Sequence, residues 1–94
     1  MTAGGVSTRR EREMIRLTLY SRSDCHLCHA MRAVVEAVRR EVPLLLEEVD
    51  VDRDAALVAA YGEEVPVLCV NGRKAFKYRV DPIALRARLA RESD

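Results

Sequence analysis

The apolar rhythm of the chain changes between residues 20 and 27, and a pair of cysteines stands at the change. Ile15, Leu17 and Leu19 recur at every second residue, with Arg16 and Thr18 between them, as in a half-buried strand. Beyond Tyr20-Ser21-Arg22-Ser23-Asp24, the positions Leu27, Ala30, Met31, Val34, Val35, Val38 and Val42 fall three and four apart. That spacing is the stripe of an amphipathic helix, which Pro43 stops. Cys25-His26-Leu27-Cys28 therefore opens a helix directly after a strand.

The rest of the chain is punctuated as clearly. Leu44 to Val51 is too short for a further helix and ends in β-branched residues, so it predicts a second strand. Asp52 is the expected N-cap of a short helix through Ala55, Leu57, Val58 and Tyr61, with Gly62 suited to a left-handed C′ position. Val67-Leu68-Cys69-Val70, Asn71-Gly72 and Arg73 to Tyr78 predict an antiparallel hairpin with a type I′ turn. Asp81 and Pro82 open a last helix that offers Ile83, Ala84, Leu85, Ala87, Leu89 and Ala90 for burial. A strand–helix–strand unit crosses over to a parallel neighbour, and the hairpin adds an antiparallel edge. The expectation is an α/β domain of order β-α-β-α-β-β-α, a mixed four-stranded sheet flanked by three helices. Residues 14–91 would form it, between a flexible N-terminal tail of residues 1–13 and a short C-terminal tail of residues 92–94.

Composition excludes several functions. Sixteen basic and fifteen acidic residues leave a net charge of +1, and the arginines are interleaved with acids, so no nucleic-acid partner is expected. No stretch has the length of a signal peptide or a membrane span, which predicts a cytoplasmic protein without a membrane partner. Thiols are kept reduced there, so three cysteines point to catalysis or metal rather than to a disulfide framework.

At a helix start, free backbone N–H groups and the positive end of the helix dipole favour a thiolate over a thiol. Cys25 is thus the candidate nucleophile. Cys28, three residues on, is placed to resolve a mixed disulfide formed on Cys25. His26, between them, could stabilise the Cys25 thiolate through its ring N–H. Two rivals share these residues. Cys25 to His29 fits the C-x-x-C-H pattern of haem attachment, but a strand directly before the motif and no export segment argue against it. Zinc would need four ligands, and no second C-x-x-C follows; no bound metal or cofactor is expected. Cys69, alone in a strand, reads as a small buried hydrophobe. Lys74, Lys77 and Arg79 read as cations that protect an edge strand.

Cys25-x-x-Cys28 at a helix start, Val65-Pro66 before the third strand and the order of elements together resemble the glutaredoxin-like proteins of the thioredoxin-fold superfamily, over about residues 15–91. The resemblance implies a thioredoxin-like fold and a thiol–disulfide oxidoreductase. It implies a cis bond before Pro66, a Val65 backbone that pairs with an incoming chain, and Arg22 as a cation near the thiolate. Implied partners are a disulfide-containing protein or a small disulfide, with glutathione or a thioredoxin-type reductase system as electron donor. The chain departs from the glutaredoxin pattern at His26-Leu27 and at Lys74 to Asp81, where a Gly-Gly glutathione cradle would lie, so the donor stays open. The alternative is a binding module that uses the same fold to dock a partner protein.

Overall fold

A computed structural model describes residues 14–93. The expected N-terminal tail, residues 1–13, lies outside the described residues. The elements follow in the order β1 (Ile15–Ser21), α1 (His26–Arg39), β2 (Leu44–Asp50), a 3₁₀ turn (Val51–Arg53), α2 (Ala55–Tyr61), β3 (Val67–Val70), β4 (Arg73–Lys77) and α3 (Pro82–Ser93). The strands form one sheet in the order β2-β1-β3-β4. β1 and β2 are parallel, joined by the α1 crossover, whereas β3 is antiparallel to both β1 and β4. The β-α-β-α-β-β-α order and the mixed sheet are those the sequence predicts.

One face of the sheet carries the main core. Ile15, Leu17 and Leu19 of β1 alternate onto it with Leu44, Leu68 and Val70, and meet Met31, Val35 and Val38 of α1 and Leu85 and Leu89 of α3. Helices α1 and α3 therefore share this face. Tyr20 points the other way and stacks on Tyr61 at the end of α2, with ring centroids 4.1 Å apart. Burial there pushes the Tyr20 hydroxyl pKa up. Cys69, opposite Thr18 in the sheet, is buried as expected, and burial likewise raises its thiol pKa.

The hairpin turn has φ of 50° at Asn71 and 85° at Gly72, the double left-handed geometry that selects Asn-Gly. Register shifts along the hairpin: Leu68 faces Phe76, whereas Cys69 faces Lys74. Ala75 is thus an extra residue in β4, and the bulge lets Ala75 and Phe76 both lean on the core.

Four local expectations are corrected. Asp54, not Asp52, caps α2, its Oδ1 accepting from Ala56 N at 2.8 Å. Asp50 caps the intervening 3₁₀ turn in the same way, accepting from Asp52 N at 2.9 Å. Gly62 is right-handed, with φ −53°, because α2 winds on without a reversal. Among the described side chains of α3 only Leu85 and Leu89 are buried; Ile83 is 74% exposed, since a single i, i+4 line of the helix meets α1 and the sheet. The last helix also runs past residue 91 to Ser93, its end held where Glu92 accepts from Arg88 Nε at 3.1 Å and Asn71 Nδ2 at 2.9 Å. No helix among the described residues is long and apolar enough to cross a membrane.

Candidate active site

β1 delivers the chain to the top of the sheet, and α1 starts shortly after Ser21 ends the strand. Cys25 is the N-cap of α1: its backbone is extended (φ −124°, ψ 107°), its carbonyl accepts from His29 N at 3.1 Å, and its Sγ accepts from Cys28 N at 3.0 Å. The sulfur thus takes the capping place that a Ser or Asp oxygen usually fills. Cys25 and Cys28 are joined as a disulfide, with Cα atoms 5.1 Å apart. Cys25 is partly exposed, whereas Cys28 is fully buried. His26 and His29 both lie on the exposed side of α1. Among the described residues no three His, Cys, Asp or Glu side chains gather to hold a metal ion.

The strand end and the helix are pinned to each other. Buried Ser21 donates its hydroxyl to Glu48 Oε2 at 2.9 Å, and Arg32 Nε of α1 reaches Glu48 Oε1 at 2.7 Å. That Arg32 hydrogen bond holds the Glu48 carboxyl below the usual carboxylate range. A polar brace so links β1, β2 and α1 one helical turn from the dithiol, and fixes the angle at which Cys25 is presented.

Arg22, Asp24, Cys25, Asp52 and Val65 line a groove of about 420 Å³. The groove brings Arg22 and Val65, two residues singled out by the resemblance, together with Cys25, and adds Asp52. Arg22 Nε pairs with Asp52 Oδ1 at 3.2 Å, so Asp52, freed from capping, fixes the guanidinium beside the groove. Gly62 leaves room for it. A Cβ at residue 62 would lie 3.2 Å from Arg22 Nη2 and only 2.6 Å from the Val58 carbonyl oxygen. Gly62→Ala should therefore cost about 1–3 kcal/mol and loosen the Arg22–Asp52 pair, measured by urea unfolding and by Arg22 side-chain NMR; unchanged values in both would refute it.

The Val65–Pro66 bond is cis, and Pro66 is buried at the head of β3. Residues 62–65 are held from β4: Glu64 accepts from Lys74 Nζ at 2.6 Å and pairs with Lys77 Nζ at 3.6 Å, and the Lys74 bond keeps its carboxyl below the usual range. Lys74 also lies over Tyr61, 5.8 Å from the ring centroid. The ladder continues past β4, because Tyr78 N donates to Pro66 O at 2.8 Å. Tyr78 has φ of 70°, and Arg79 N closes on Lys77 O at 2.8 Å, which makes a γ-turn about Tyr78. A left-handed backbone costs a bulky L-residue about 1–2 kcal/mol. The sequence holds no signal for this turn, since Gly or Asn is the usual mark of a left-handed position.

A half-exposed cysteine capping a helix, bonded to a buried partner three residues on and set near a cis-proline, is the arrangement to compare with known proteins. A family model described as Glutaredoxin-like domain (DUF836) matches residues 16–90. The chain belongs to this glutaredoxin-like family. An X-ray structure of the structural-genomics target XcR50 from X. campestris is 41% identical, with TM-score 0.69, covering 80% of this chain and 96% of that one. Protein Ne2328 from Nitrosomonas europaea is 28% identical, with TM-score 0.71, covering 81% of this chain and 92% of that one. A mutant thioredoxin from Halobacterium salinarum shares the fold at 23% identity and TM-score 0.67, covering 90% of this chain and 80% of that one. No curated protein matches the chain. The glutaredoxin-like chain thus has a thioredoxin-like fold, and its close cysteine pair points to a redox role.

Proposed function

We propose that this protein is a thiol–disulfide oxidoreductase of a reducing compartment such as the cytoplasm, with Cys25 as nucleophile and Cys28 as resolving thiol. The observation that carries this reading is the unequal exposure of two bonded cysteines at a helix start: Cys25 is open to the groove, and Cys28 is fully buried. In the reduced form, the Cys25 thiolate attacks one sulfur of a substrate disulfide. That bond breaks, the leaving thiolate takes a proton, and Cys25 holds the other half as a mixed disulfide. Cys28 then loses its proton and attacks Cys25 Sγ, releasing the second thiol and leaving the Cys25–Cys28 disulfide. Two electrons have passed to the substrate, and an external thiol reductant returns them.

The residues around the pair support each step. The Cys28 N–H and the free N–H groups of the first turn of α1 favour negative charge on Cys25. Arg22, anchored by Asp52, supplies a fixed cation in the same groove. Val65 lines that groove next to Cys25, which supports a role for its backbone in pairing with an extended substrate segment. His26 is exposed at the first position of α1, where its ring can reach an incoming substrate.

The test is turnover of hydroxyethyl disulfide and of insulin by the reduced protein, run with glutathione and with a thioredoxin reductase system as alternative donors. Catalysis with at least one donor, and reversible oxidation of the pair by mass spectrometry, are expected. A pair that oxidises but turns over nothing with either donor would replace this reading with that of a redox-sensitive docking module.

A further inference from the structure

Arg22 is the one cation among the residues that line the Cys25 groove, and it is not free. Its Nε donates to Asp52 Oδ1 at 3.2 Å, while Asp24 lines the same groove, exposed and without an ion-pair partner among the described residues. Two carboxylates thus stand around one guanidinium. Beyond Arg22 the surface continues into a hollow of about 570 Å³ beside α2, where Arg22 is again the only lining cation and Glu63 and Glu64 form part of the wall. Glu64 is matched by Lys74 and Lys77. The exposed Glu63 carboxylate pairs with nothing among the described residues; only its backbone carbonyl is engaged, by the Tyr78 hydroxyl at 3.4 Å. The next arginine, Arg53, lines a separate pocket with Asp50 and Asp54. Asp52 caps neither the 3₁₀ turn nor α2, which Asp50 and Asp54 cap, so its carboxylate is left for Arg22. A lone arginine in this groove would offer a planar fork of donors to carboxylates and draw anionic disulfides to Cys25. With Asp52 on its Nε the cation is compensated, and Asp24 and Glu63 leave an excess of negative charge in a concave site. Such a site gathers cations and holds off anions.

We propose that Asp52 is a specificity-determining residue: by holding Arg22 it closes the Cys25 groove to anionic disulfides, and with Asp24 and Glu63 it directs the groove to polypeptide substrates that carry Lys or Arg beside their disulfide. The proposal rests on the Cys25–Cys28 pair being the redox centre. Disulfides flanked by carboxylates, oxidised glutathione among them, are the disfavoured class. The reduced pair passes two electrons to the substrate disulfide, closes the Cys25–Cys28 bond and releases two thiols. The charges act on encounter and orientation rather than on these bonds.

The test is single-turnover oxidation of the reduced full-length protein by three disulfides of similar size: cystamine, a dication, neutral hydroxyethyl disulfide, and 3,3′-dithiodipropionate, a dianion. Alkylation quench and mass spectrometry give each rate, which is divided by that of dithiothreitol with the same disulfide to remove intrinsic reactivity. At an ionic strength of about 20 mM, cystamine should exceed dithiodipropionate by at least about tenfold, with hydroxyethyl disulfide between them. Salt at about 0.5 M should compress that ratio below about threefold. Capped pentapeptide disulfides with Lys on both sides of the cysteine should likewise outpace those with Glu. Asp52→Asn should shrink the cystamine to dithiodipropionate ratio by at least about threefold, mainly by speeding the dianion, and Asp24→Asn should shrink it as well. A ratio near one, a ratio indifferent to salt, Glu peptides as fast as Lys peptides, or a ratio that both substitutions leave in place would each overturn the proposal. A purely structural Asp52 would show in the last of these ways, with all three disulfides slowed alike. Loss of the redox reading would show separately, because the neutral disulfide would then not oxidise the pair at all.

Discussion

Cys25→Ser should lower disulfide reduction by roughly a thousandfold or more, while the protein folds as before. The two halves of that result come from different demands on one residue. As N-cap of α1, residue 25 must offer an acceptor to Cys28 N, now 3.0 Å from the sulfur, and a serine oxygen serves as well or better. As nucleophile it must offer a polarisable anion near neutral pH, which a hydroxyl does not. A melting temperature within a few degrees of the wild type, with activity at background, is therefore the expected pair of measurements. Cys28→Ser and Cys28→Ala should behave differently. The first attack survives, but nothing then reaches the Cys25 sulfur, because residue 28 is the buried group bonded to it, with Cα atoms 5.1 Å apart. Mass spectrometry should find a stable mixed disulfide on Cys25 in either variant. The alanine form guards against the cost of a buried hydroxyl, about 1–3 kcal/mol, obscuring the result. Activity of Cys25→Ser within tenfold of the wild type, or no adduct in either Cys28 variant, would sink the assignment of roles.

How much of this is legible in the sequence depends on how local the signal is. The change of period across residues 20–27 announces β1, α1 and the dithiol between them, since strand alternation, helical spacing and an N-capping residue are all short-range patterns. Asn71-Gly72 announces its turn for the same reason: two left-handed residues in a row admit few other pairs. Asp52 is misread as a cap because Asp50, Asp52 and Asp54 all have the chemistry of one. Only the fold shows that two of them cap and the middle one turns to Arg22, thirty residues away. Ile83 is misjudged because α3 is as rich in alanine as in leucine and isoleucine, so its pattern does not say which line of the helix meets the sheet. The γ-turn at Tyr78 is illegible altogether. It is imposed by the ladder to Pro66 after the bulge at Ala75, which is a tertiary override of what a tyrosine prefers. The Ser21–Glu48–Arg32 brace is of the same kind, assembled from three elements that no sequence window spans.

The largest loss of stability should come from Leu68→Ala, a residue remote from the chemistry. Leu68 is fully buried in β3, opposite Leu19 in one neighbouring strand and Phe76 in the other, within the cluster that also holds Met31, Val35, Leu85 and Leu89. Its position in an inner strand means that both helices and both flanking strands would have to move to fill the space, so little of the cavity can collapse. The cost should lie near the upper part of the range for such truncations, about 3–5 kcal/mol. A domain of this size has about 5–14 kcal/mol in total, so one side chain accounts for a large share of it. Urea unfolding should show a lower midpoint at unchanged slope, and the melting temperature should fall by roughly 10–25 °C. Ile83→Ala is the matched control: it removes a comparable branched side chain at a position 74% exposed, and should change stability by less than about 0.5 kcal/mol. The dithiol gives a second reading of the same variant. In the proposed mechanism the first turn of α1 and Arg22 activate Cys25, and neither belongs to the core cluster that holds Leu68, so well below its lowered midpoint reduced Leu68→Ala should alkylate at Cys25 at the wild-type rate. A Leu68→Ala protein that keeps wild-type stability would mean that the core is not centred on β3. One that folds but alkylates tenfold more slowly would mean that the presentation of Cys25 depends on the packing beneath the sheet and not on the helix start alone.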